Sequence, residues 1–564
     1  MIVFDEDKEN RKLEDLRREE EETLIQTLSG AKYGMQYINL ATVVIDNGAL
    51  RTVTEKEAKD LEVAPFKLLG KNLHIALRSP THPGLQDFAD ALKKKGFTVH
   101  LYMASKASLV KVWERYKELS YATETKAGSL DISGAALIAM TKEIKNMEDV
   151  KKSIEATSSE NKIHKISKIL EVILAGAIAI NASDVHIEPE ENRVRLRYRL
   201  DGVLQDVMFF PFEIFKLINS RIKLLSGLKI TMTSSAQDGR FSIFLDDLEI
   251  SIRTSTVPGA YGEAIVMRLL NPKSIQGNLE DLGIEPKLFA IIDREIKKPN
   301  GMILITGPTG SGKTTTLYAF LRKIYSTEVN IITIEDPIEY HLEGITQTQT
   351  EKKYTFVEGL RAALRQDPDI IMVGEIRDDE TAKIAVESAL TGHLVFSTLH
   401  TNNAAGVIPR LIDLGVNPKI LVSALSLSIA QRLVRKLCPF CKKERLPNPE
   451  EEKMMRDILK SAEADGKDLS FYKVTSDQAI KLFDPVGCDK CNISGFKGRL
   501  GVFEAIITDE NIEKIIIENP SEREIKRIAR KQGVLNMQED GVIKVMLGIT
   551  SLEELRSVVD LIEN

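Results

Sequence analysis

Long hydrophobic runs are missing from this sequence of 564 residues. The longest apolar stretch without a charged residue spans positions 172–183, which is too short to cross the roughly 30 Å hydrocarbon core of a bilayer. The chain also does not open with a basic segment followed by a short apolar core, the pattern of a secretory signal. We therefore expect a cytoplasmic protein, or one that associates peripherally with a membrane.

An excess of positive charge is missing too, because 83 Asp and Glu residues outnumber 77 Lys and Arg residues and leave a net charge of −6. No overall basic field therefore favours binding to a nucleic-acid backbone. Four arginines do alternate with other residues over positions 193–199, which places them on one face of a predicted strand. Such a stripe is more often a solvated or inter-subunit sheet face than a nucleic-acid site, and we interpret it in that way.

Cysteine is scarce, and its four occurrences form two C-x-x-C pairs: Cys438 with Cys441, and Cys488 with Cys491. Such pairs suit tetrahedral Zn²⁺, since four thiolates close the coordination shell and leave no position for a catalytic water. The 46-residue spacer exceeds the about 15–20 residues of a compact zinc ribbon, so we expect the pairs to clip an inserted subdomain, about 432–505. A redox disulfide is the alternative.

The length of the chain and its hydrophobic content of 43% predict several globular domains. Residues 1–28 are highly charged and predict a solvated helical arm, whereas residues 29–119 alternate short apolar strands with helices, as in a small α/β domain. A stretch rich in small residues over 120–150 predicts a flexible connection. We assign residues 151–275 to a second α/β domain and residues 276–564 to a nucleotide-binding domain that includes the cysteine pairs.

A complete phosphate-binding loop is the dominant feature of the last domain. It fits the pattern G-x-x-x-x-G-K-[ST], after an apolar run over 302–306 that predicts a strand and before an expected helix. Glycines let backbone N–H groups turn toward a polyphosphate, Lys313 neutralises phosphate charge, and the Thr314 hydroxyl is placed to ligate Mg²⁺. The predicted nucleotide-binding residues are Gly307, Pro308, Thr309, Gly310, Ser311, Gly312, Lys313, Thr314 and Thr315. The sequence therefore predicts a protein that binds a nucleoside triphosphate.

Three further apolar runs, 331–334, 370–373 and 394–397, alternate with helical segments as in a mostly parallel sheet. Parallel strands bring their carboxyl ends to the edge where such sheets bind ligands. Polar residues adjoin each of these runs. We therefore expect them to share one site with the phosphate-binding loop.

Carboxylates follow the first two of these strands. Glu335, Asp336 and Glu339 come after the first, where a P-loop enzyme needs acids to activate water and to hold Mg²⁺ through its water shell. A solvated acidic turn is the alternative. Glu375 follows the second strand in the form of a Walker B motif, and its long side chain suits water-mediated contact with the metal. We predict that Glu339 is the general base, since it follows the Pro337 turn and can reach over the γ-phosphate.

His393 and His400 bracket the third strand. A histidine at a strand end is usually structural, but we expect both of these to share an edge with the phosphate site. For at least one we predict a role in sensing the γ-phosphate or in coupling subunits.

In combination these motifs resemble the type II secretion and type IV pilus assembly ATPase family, the GspE and PilB group. The resemblance covers positions 163–564 and implies a RecA-like C-terminal ATPase domain, preceded by a PAS-like α/β domain that closes over the nucleotide. In the terms of this family, residues 335–340 are the Asp box and residues 391–402 are the His box. The matching stretches are ASDVHIEP, RYRLDGVL, QDGR, GEAIVMRLL, GPTGSGKTTTLYA, ITIEDPIEY, LRQDPDIIMVGEIRD, TGHLVFSTLHTN, QRLVRKLCPFC and GFKGRLGVFE.

The same resemblance implies a homo-hexamer that hydrolyses ATP with Mg²⁺ to move pilin-like subunits. It would work at the inner face of the cytoplasmic membrane, with a polytopic platform protein and other pilus or secretion components as partners. The resemblance identifies Arg240, Arg253 and Arg268 as catalytic arginines, which we expect to complete the site of a neighbouring subunit. It also favours Glu339 as the base, and the cysteine pairs are similar to those of the assembly branch.

Other functions share the P-loop and stay open as alternatives. A RecA-like nucleic-acid translocase or a conjugation-type secretion ATPase would have the same core, although the acidic composition gives little support to a nucleic-acid partner. A nucleotide-gated scaffold with negligible turnover would not need the acids beside the P-loop. The sequence thus favours an ATP-hydrolysing motor for filament assembly.

Overall fold

The computed structural model describes residues 21–116, 134–158, 165–245, 248–272 and 277–561, except for the single positions 24, 28, 31, 41, 42, 44, 51, 70 and 95. The chain divides into two compact units, with the boundary between residues 132 and 133. The predicted charged arm lies outside the described residues up to position 20, and positions 21–23 and 25–27 are helical.

A three-stranded sheet forms the centre of the first unit. Strand β1 (Val63–Leu69) pairs antiparallel with β2 (Asn72–Leu77), and β2 pairs parallel with β3 (Thr98–Met103). The indole of Trp113 packs into the core and donates to the carbonyl of Val63 at 2.8 Å. The α/β pattern expected for this region is present. Its helices include Asn47–Leu50, Glu55–Asp60, Leu85–Lys94 and Lys106–Arg115.

Two helices, Gly134–Glu143 and Met147–Ser158, stand where the sequence predicted a flexible connection over 120–150. Both pack against the next helix, Lys165–Ala179, and Leu137 and Val150 are fully buried. Residues 117–133 lie outside the described part of the chain. The helices escaped prediction because tertiary packing, rather than a strong apolar periodicity, stabilises them.

The second unit continues with a six-stranded sheet in which all neighbours are antiparallel. Along β5 buried and partly exposed residues alternate, as expected for a sheet with one face on a core. The helix Phe212–Leu225 connects β6 to β7. The strands are β4 (Asp184–Pro189), β5 (Val194–Leu200), β6 (Val203–Phe210), β7 (Gln237–Leu245), β8 (Leu248–Gly259) and β9 (Gly262–Leu270), in the spatial order β6-β5-β4-β9-β8-β7.

The arginine stripe of this sheet is an ion-paired face. Every one of its members has an acidic partner on the same sheet or at its turns, which agrees with the interpretation as a sheet face rather than a nucleic-acid site. The pairs are Arg193 with Glu190, Arg195 with Asp206, Arg197 with Glu188 and Arg199 with Asp184.

A seven-stranded sheet organises the rest of the second unit. Neighbouring strands in this sheet are parallel except for the last pair, β15 and β18. Helices cover both faces of the sheet, and β10 is therefore buried along its whole length. The four strands predicted from apolar runs are present at the predicted positions. The strands are β10 (Gly301–Thr306), β11 (Ile331–Glu335), β12 (Thr346–Gln349), β13 (Ile370–Val373), β14 (Leu394–Leu399), β15 (Leu425–Leu437) and β18 (Phe496–Ile507), in the order β12-β11-β13-β14-β10-β15-β18.

An insertion between β15 and β18 carries a small two-stranded sheet, β16 (Lys443–Arg445) with β17 (Leu482–Asp484), and the helix Pro449–Ala464. Across the described residues, no helix is both long and apolar enough to traverse a bilayer. The other helices of this region are Pro286–Glu295, Lys313–Ile324, Phe356–Ala363, Asp379–Leu390, Val407–Asp413, Pro418–Ala424, Glu510–Glu518, Glu522–Ala529, Met537–Met546 and Leu552–Arg556.

Candidate nucleotide-binding and hydrolysis site

The carboxyl ends of four neighbouring parallel strands meet at one edge of the seven-stranded sheet. Because the strand order is β11-β13-β14-β10, this edge presents in turn the Asp box, Glu375, His400 and the P-loop. A cleft of about 910 Å³ lies there, lined by residues of both the seven-stranded and the six-stranded sheet. Its volume suits a small-molecule ligand of nucleotide size.

Two glycines shape the P-loop between β10 and the helix Lys313–Ile324. Gly307 has φ of 148°, and a Cβ at this position would lie 2.5 Å from the carbonyl oxygen of Gln431. Gly312 has φ of 89° and precedes the first helical residue. Both positions therefore require glycine, and the loop approaches β15 closely.

Lys313 lies over its own loop. Its Nζ donates to the carbonyl oxygens of Gly307 at 2.8 Å and Pro308 at 3.2 Å, and burial lowers the pKa of Lys313. Both carbonyls belong to the loop that the motif shapes around phosphate, so the ammonium group is held where phosphate oxygens would be received.

Glu335 occupies the end of β11 and is only 3% exposed. Its carboxylate accepts hydrogen bonds from Thr333 at 2.6 Å, from Gln347 at 3.0 Å and from the hydroxyl of Tyr318. Burial raises the pKa of Glu335, and the three donors oppose this effect. Glu335 is thus the centre of a buried hydrogen-bond network that joins the P-loop helix to β11 and β12.

Glu339 has a different environment from Glu335. Its Oε2 forms an ion pair with Nη1 of Arg253 at 3.1 Å, and Nη2 of Arg253 donates to the carbonyl of Ile338 at 2.7 Å. The same Oε2 atom is buried and makes no hydrogen bond with the residues that the structure describes. Asp336 is exposed. The Asp box therefore offers one carboxylate, that of Glu339, that an arginine of the six-stranded sheet holds in place.

Glu375 follows β13 and contacts two basic side chains at the sheet edge. One carboxylate oxygen pairs with Arg377, and the other lies 3.2 Å from Nε2 of His400. The hydrogen bond that Arg377 donates to Glu375 raises the pKa of Arg377. Glu375 and Thr314 line the same cleft, and their carboxylate and hydroxyl oxygens are ligands that Mg²⁺ prefers.

The predicted catalytic arginines lie side by side on β7, β8 and β9, where Arg240 is opposite Arg253 and Arg253 is opposite Arg268. Arg268 lines the main cleft, and all three arginines line an adjoining cavity of about 530 Å³ beside Pro337. These arginines are close to the Asp box of their own chain. A role across a subunit interface stays a prediction.

The four cysteines converge although 46 residues separate the two pairs. Cys438 and Cys441 follow β15, Cys488 and Cys491 precede β18, and these two strands are antiparallel neighbours. All four sulfur atoms lie within 4.8 Å of one another, with measured Sγ separations of 3.7, 3.8 and 3.9 Å. A tetrahedral ion with metal–sulfur bonds of about 2.3 Å needs separations of roughly 3.8 Å. The cluster therefore fits Zn²⁺, whereas a disulfide, with sulfur atoms about 2.05 Å apart, is not formed.

Residues 159–557 match the protein family described as Type II/IV secretion system protein. The chain belongs to this family. It is 38% identical over 539 residues to the type IV pilus assembly ATPase PilB of Thermus thermophilus, and the match covers 95% of this chain and 57% of that protein. It is 45% identical over 395 residues to the type II secretion system protein E of Pseudomonas aeruginosa, and that match covers 70% of this chain and 75% of the relative.

A solved structure supports the fold of this family member. The ATPase DotB of Yersinia pseudotuberculosis superposes with a TM-score of 0.51 over 72% of this chain and 95% of that chain, at 21% identity. The likeness shows the fold alone. With its family membership and its complete P-loop, the chain is a P-loop ATPase.

One histidine of this secretion-family ATPase does not lie where the sequence predicted. His393 precedes β14 and its Nδ1 donates to the carbonyl of Ser388 at 3.0 Å, at the amino edge of the sheet. Since β14 has six residues that rise about 3.3 Å each, roughly 20 Å separate this edge from the P-loop edge. Only His400 of the two shares the edge with the phosphate site, because the two ends of one strand cannot meet.

Several residues that line the cleft or support its acids were not predicted from the sequence. Tyr318 and Gln347 hold Glu335, and Arg377 and Arg499 line the cleft. Arg377 stands two residues after Glu375 in the matching stretch LRQDPDIIMVGEIRD, so the sequence contained a signal for it. Tyr318 likewise stands in the matching stretch GPTGSGKTTTLYA. Gln347 lies outside the matching stretches and carried no signal, since only the packing of β12 brings it to β11.

Proposed function

We propose that this ATPase is the motor that couples ATP hydrolysis to the assembly of type IV pilus or type II secretion pseudopilus filaments. The observation that carries the proposal is the convergence of the P-loop, Glu339, Glu375 and the arginines of the six-stranded sheet around the main cleft and the cavity that adjoins it. Relatives named for pilus assembly and for type II secretion match most of the chain. A scaffold that only binds nucleotide would not need these acids.

The chemistry follows from the environment of each group. Lys313 and the amino end of its helix receive the β- and γ-phosphates of ATP. The carboxylate of Glu339, which Arg253 holds beside the cleft, accepts the proton of the attacking water. Thr314, Asp336 and Glu375 supply the oxygens that would hold Mg²⁺ and its water shell. The bound ion neutralises charge on the phosphates.

Arg253 links hydrolysis to movement. It belongs to the six-stranded sheet, yet it contacts both Glu339 and the backbone of Ile338 on the seven-stranded sheet. Phosphate oxygens compete with the Glu339 carboxylate for this guanidinium, so entry of ATP and release of phosphate shift the two sheets relative to each other. We infer that the ATPase works as a homo-hexamer, held peripherally at the cytoplasmic membrane by a polytopic platform protein.

The cysteine cluster serves this motor as a structural zinc site. Cys438, Cys441, Cys488 and Cys491 would hold the ion at the base of the insertion, where four thiolates leave no open coordination position. The ion closes the insertion at the ends of β15 and β18. Zinc takes no part in hydrolysis.

Lys313→Ala tests the function. We expect the purified variant to remain folded but to lose steady-state ATP hydrolysis, because Lys313 serves the phosphates rather than a core. In the source organism it should fail to restore filaments to a strain that lacks the native gene. The matched control is Lys323→Ala on the same helix as Lys313. It removes a surface ion pair between Lys323 and Glu280 and should retain both activities.

Three results would contradict the proposal. They are normal hydrolysis by Lys313→Ala, full filament assembly by an inactive variant, and ATP hydrolysis that depends on added DNA. The last result would support a nucleic-acid translocase instead.

A further inference from the structure

One row of charged residues crosses the six-stranded sheet, each opposite the next on the neighbouring strand. Three consecutive members are arginines, and like charges opposite one another destabilise a sheet. A single acid stands within the row. The members in spatial order are Arg240 on β7, Arg253 on β8, Arg268 on β9, Asp184 on β4 and Arg199 on β5.

Asp184 is the hub of this row. It is 3% exposed, although two charged neighbours flank it. Its Oδ1 accepts from Nε of Arg268 at 3.0 Å. Its Oδ2 lies 3.2 Å from Nε of Arg199 and accepts from the hydroxyl of Ser183 at 2.8 Å. Both arginines are therefore held by Nε, the nitrogen nearest the side-chain stem.

Because Asp184 contacts only the Nε atoms, the terminal nitrogens of both guanidinium groups can bind other partners. Arg199 uses Nη1 to donate to the carbonyl of Gly202 at 2.9 Å. The terminal nitrogens of Arg268 make no hydrogen bond within the described part of the chain, and its side chain is 59% exposed. Both arginines and Asp184 line the cleft that holds the P-loop.

A simple stabilising pair would be arranged differently. Arg195 and Asp206 on the same sheet form a two-point contact, with Nε and Nη2 donating at 2.7 and 2.8 Å, outside the cleft. That geometry uses one whole edge of the guanidinium group and both oxygens of the carboxylate. Asp184 instead divides its oxygens between two arginines and satisfies neither fork.

We propose that Asp184 is a positioning residue for the hydrolytic reaction. It holds Arg268 and Arg199 through Nε, so that their free terminal nitrogens face the outer phosphates of a nucleoside triphosphate on the P-loop. This role rests on the proposed function, because it requires ATP in the cleft. Without the carboxylate, the two guanidinium groups on either side of β4 would repel each other and turn toward solvent.

The test compares Asp184→Asn with the matched control Asp206→Asn, using equilibrium titration of the full chain with ADP and with a non-hydrolysable ATP analogue. We expect Asp184→Asn to weaken binding of the analogue about tenfold or more and to change ADP binding less than twofold. The control should change neither. An equal loss for both ligands, or an unchanged ratio of the two affinities, would overturn the proposal and leave Asp184 as a structural ion pair.

A second variant, Arg268→Lys, shows whether Asp184 acts through Arg268. Lysine keeps the charge but lacks the forked donors, so the analogue should again bind more weakly relative to ADP. Adding Asp184→Asn to Arg268→Lys should then cost much less than it does alone, because the shared partner is already lost. Full additivity would refute the coupling. If Asp184→Asn does not fold, an unchanged affinity ratio in Arg268→Lys overturns the proposal by itself.

These binding measurements are independent of the motor assignment. Loss of hydrolysis in Lys313→Ala tests the ATPase function without involving Asp184. A chain that hydrolyses ATP normally but shows no effect of Asp184→Asn on the affinity ratio would refute only the positioning role.

Discussion

Arg253 and Glu339 join the six-stranded sheet to the Asp box through an ion pair of 3.1 Å. The second terminal nitrogen of Arg253 donates to the carbonyl of Ile338, so the arginine contacts both a side chain and the backbone of the Asp box. Because Arg253 holds the carboxylate of Glu339, the position of the six-stranded sheet determines how the proposed base is presented to water.

Glu339→Gln should retain binding of Mg-ATP and lose turnover by about 100-fold or more, because the amide keeps the shape of the carboxylate but cannot accept a proton. Glu375→Gln should lower both turnover and the Mg²⁺ dependence of ATP binding, since Glu375 is assigned to the metal shell. Single-turnover rates beside ATP affinities at several Mg²⁺ concentrations separate the two. Normal single-turnover hydrolysis by Glu339→Gln would show that the base is another residue.

Glu335→Gln should mainly lower stability. The carboxylate accepts from three donors, and a glutamine amide would set an N–H group against one of them, which costs about 1–3 kcal/mol in a buried site. Chemical denaturation measures the loss, and Glu343→Gln at an exposed position is the control. A variant of unchanged stability that has lost hydrolysis would instead identify Glu335 as the base.

The difference in stability between the wild type and Glu335→Gln should also depend on pH. Burial raises the pKa of Glu335, so the folded protein favours the protonated carboxyl relative to the unfolded chain. The contribution of this group to stability is therefore fully present below the ordinary pKa of glutamate and declines as pH rises through the raised pKa. As pH rises from the ordinary pKa of glutamate through the raised pKa of Glu335, the unfolding free energy of the wild type should therefore fall relative to that of Glu335→Gln. A difference that grows with pH would contradict this expectation.

Mixing Arg253→Ala chains with Lys313→Ala chains tests whether the arginine acts within its own chain or on a neighbour. If Arg253 acts within its own chain, as the ion pair with Glu339 predicts, every site of a mixed oligomer lacks either Arg253 or Lys313. The mixed oligomers then regain no activity. Action across an interface predicts that some sites in mixed rings receive both intact residues. Because an arginine can contribute roughly 10³ or more in rate, recovered hydrolysis would be readily measured. Recovery would assign Arg253 to the neighbouring site.

Purified protein should contain one zinc ion per chain, and its removal should affect nucleotide binding as well as the insertion. Gly498, shortly after Cys491, donates its N–H to Asp201 at 2.9 Å, and the adjacent Arg499 lines the cleft. Loosening this segment should therefore lower the melting temperature and weaken ATP binding several-fold. Metal analysis and titrations before and after chelation measure both effects, with Cys441→Ser as a metal-free comparison. Protein purified without chelator that holds no metal would refute the zinc assignment.

The sequence by itself determined the elements whose signals are local. The P-loop could be read from its spacing, because glycines at fixed intervals, a lysine and a threonine are required by the phosphate-binding turn itself. The runs at β10, β11, β13 and β14 predicted strands because both faces of a parallel sheet are buried, which leaves a continuous apolar stretch. The cysteine pairs indicated zinc because thiolate chemistry depends on ligand type and short spacing.

Only the tertiary structure decided which polar groups meet. The order β11-β13-β14-β10 brings Glu375 and His400 to the P-loop edge and leaves His393 at the opposite edge. Packing of a helix and β12 against β11 buried Glu335 beneath Tyr318 and Gln347. Strand register placed Asp184 between two arginines. A sequence pattern reports the period and burial of one segment, whereas these contacts depend on the pairing of segments far apart in the chain, for which local spacing contains no information.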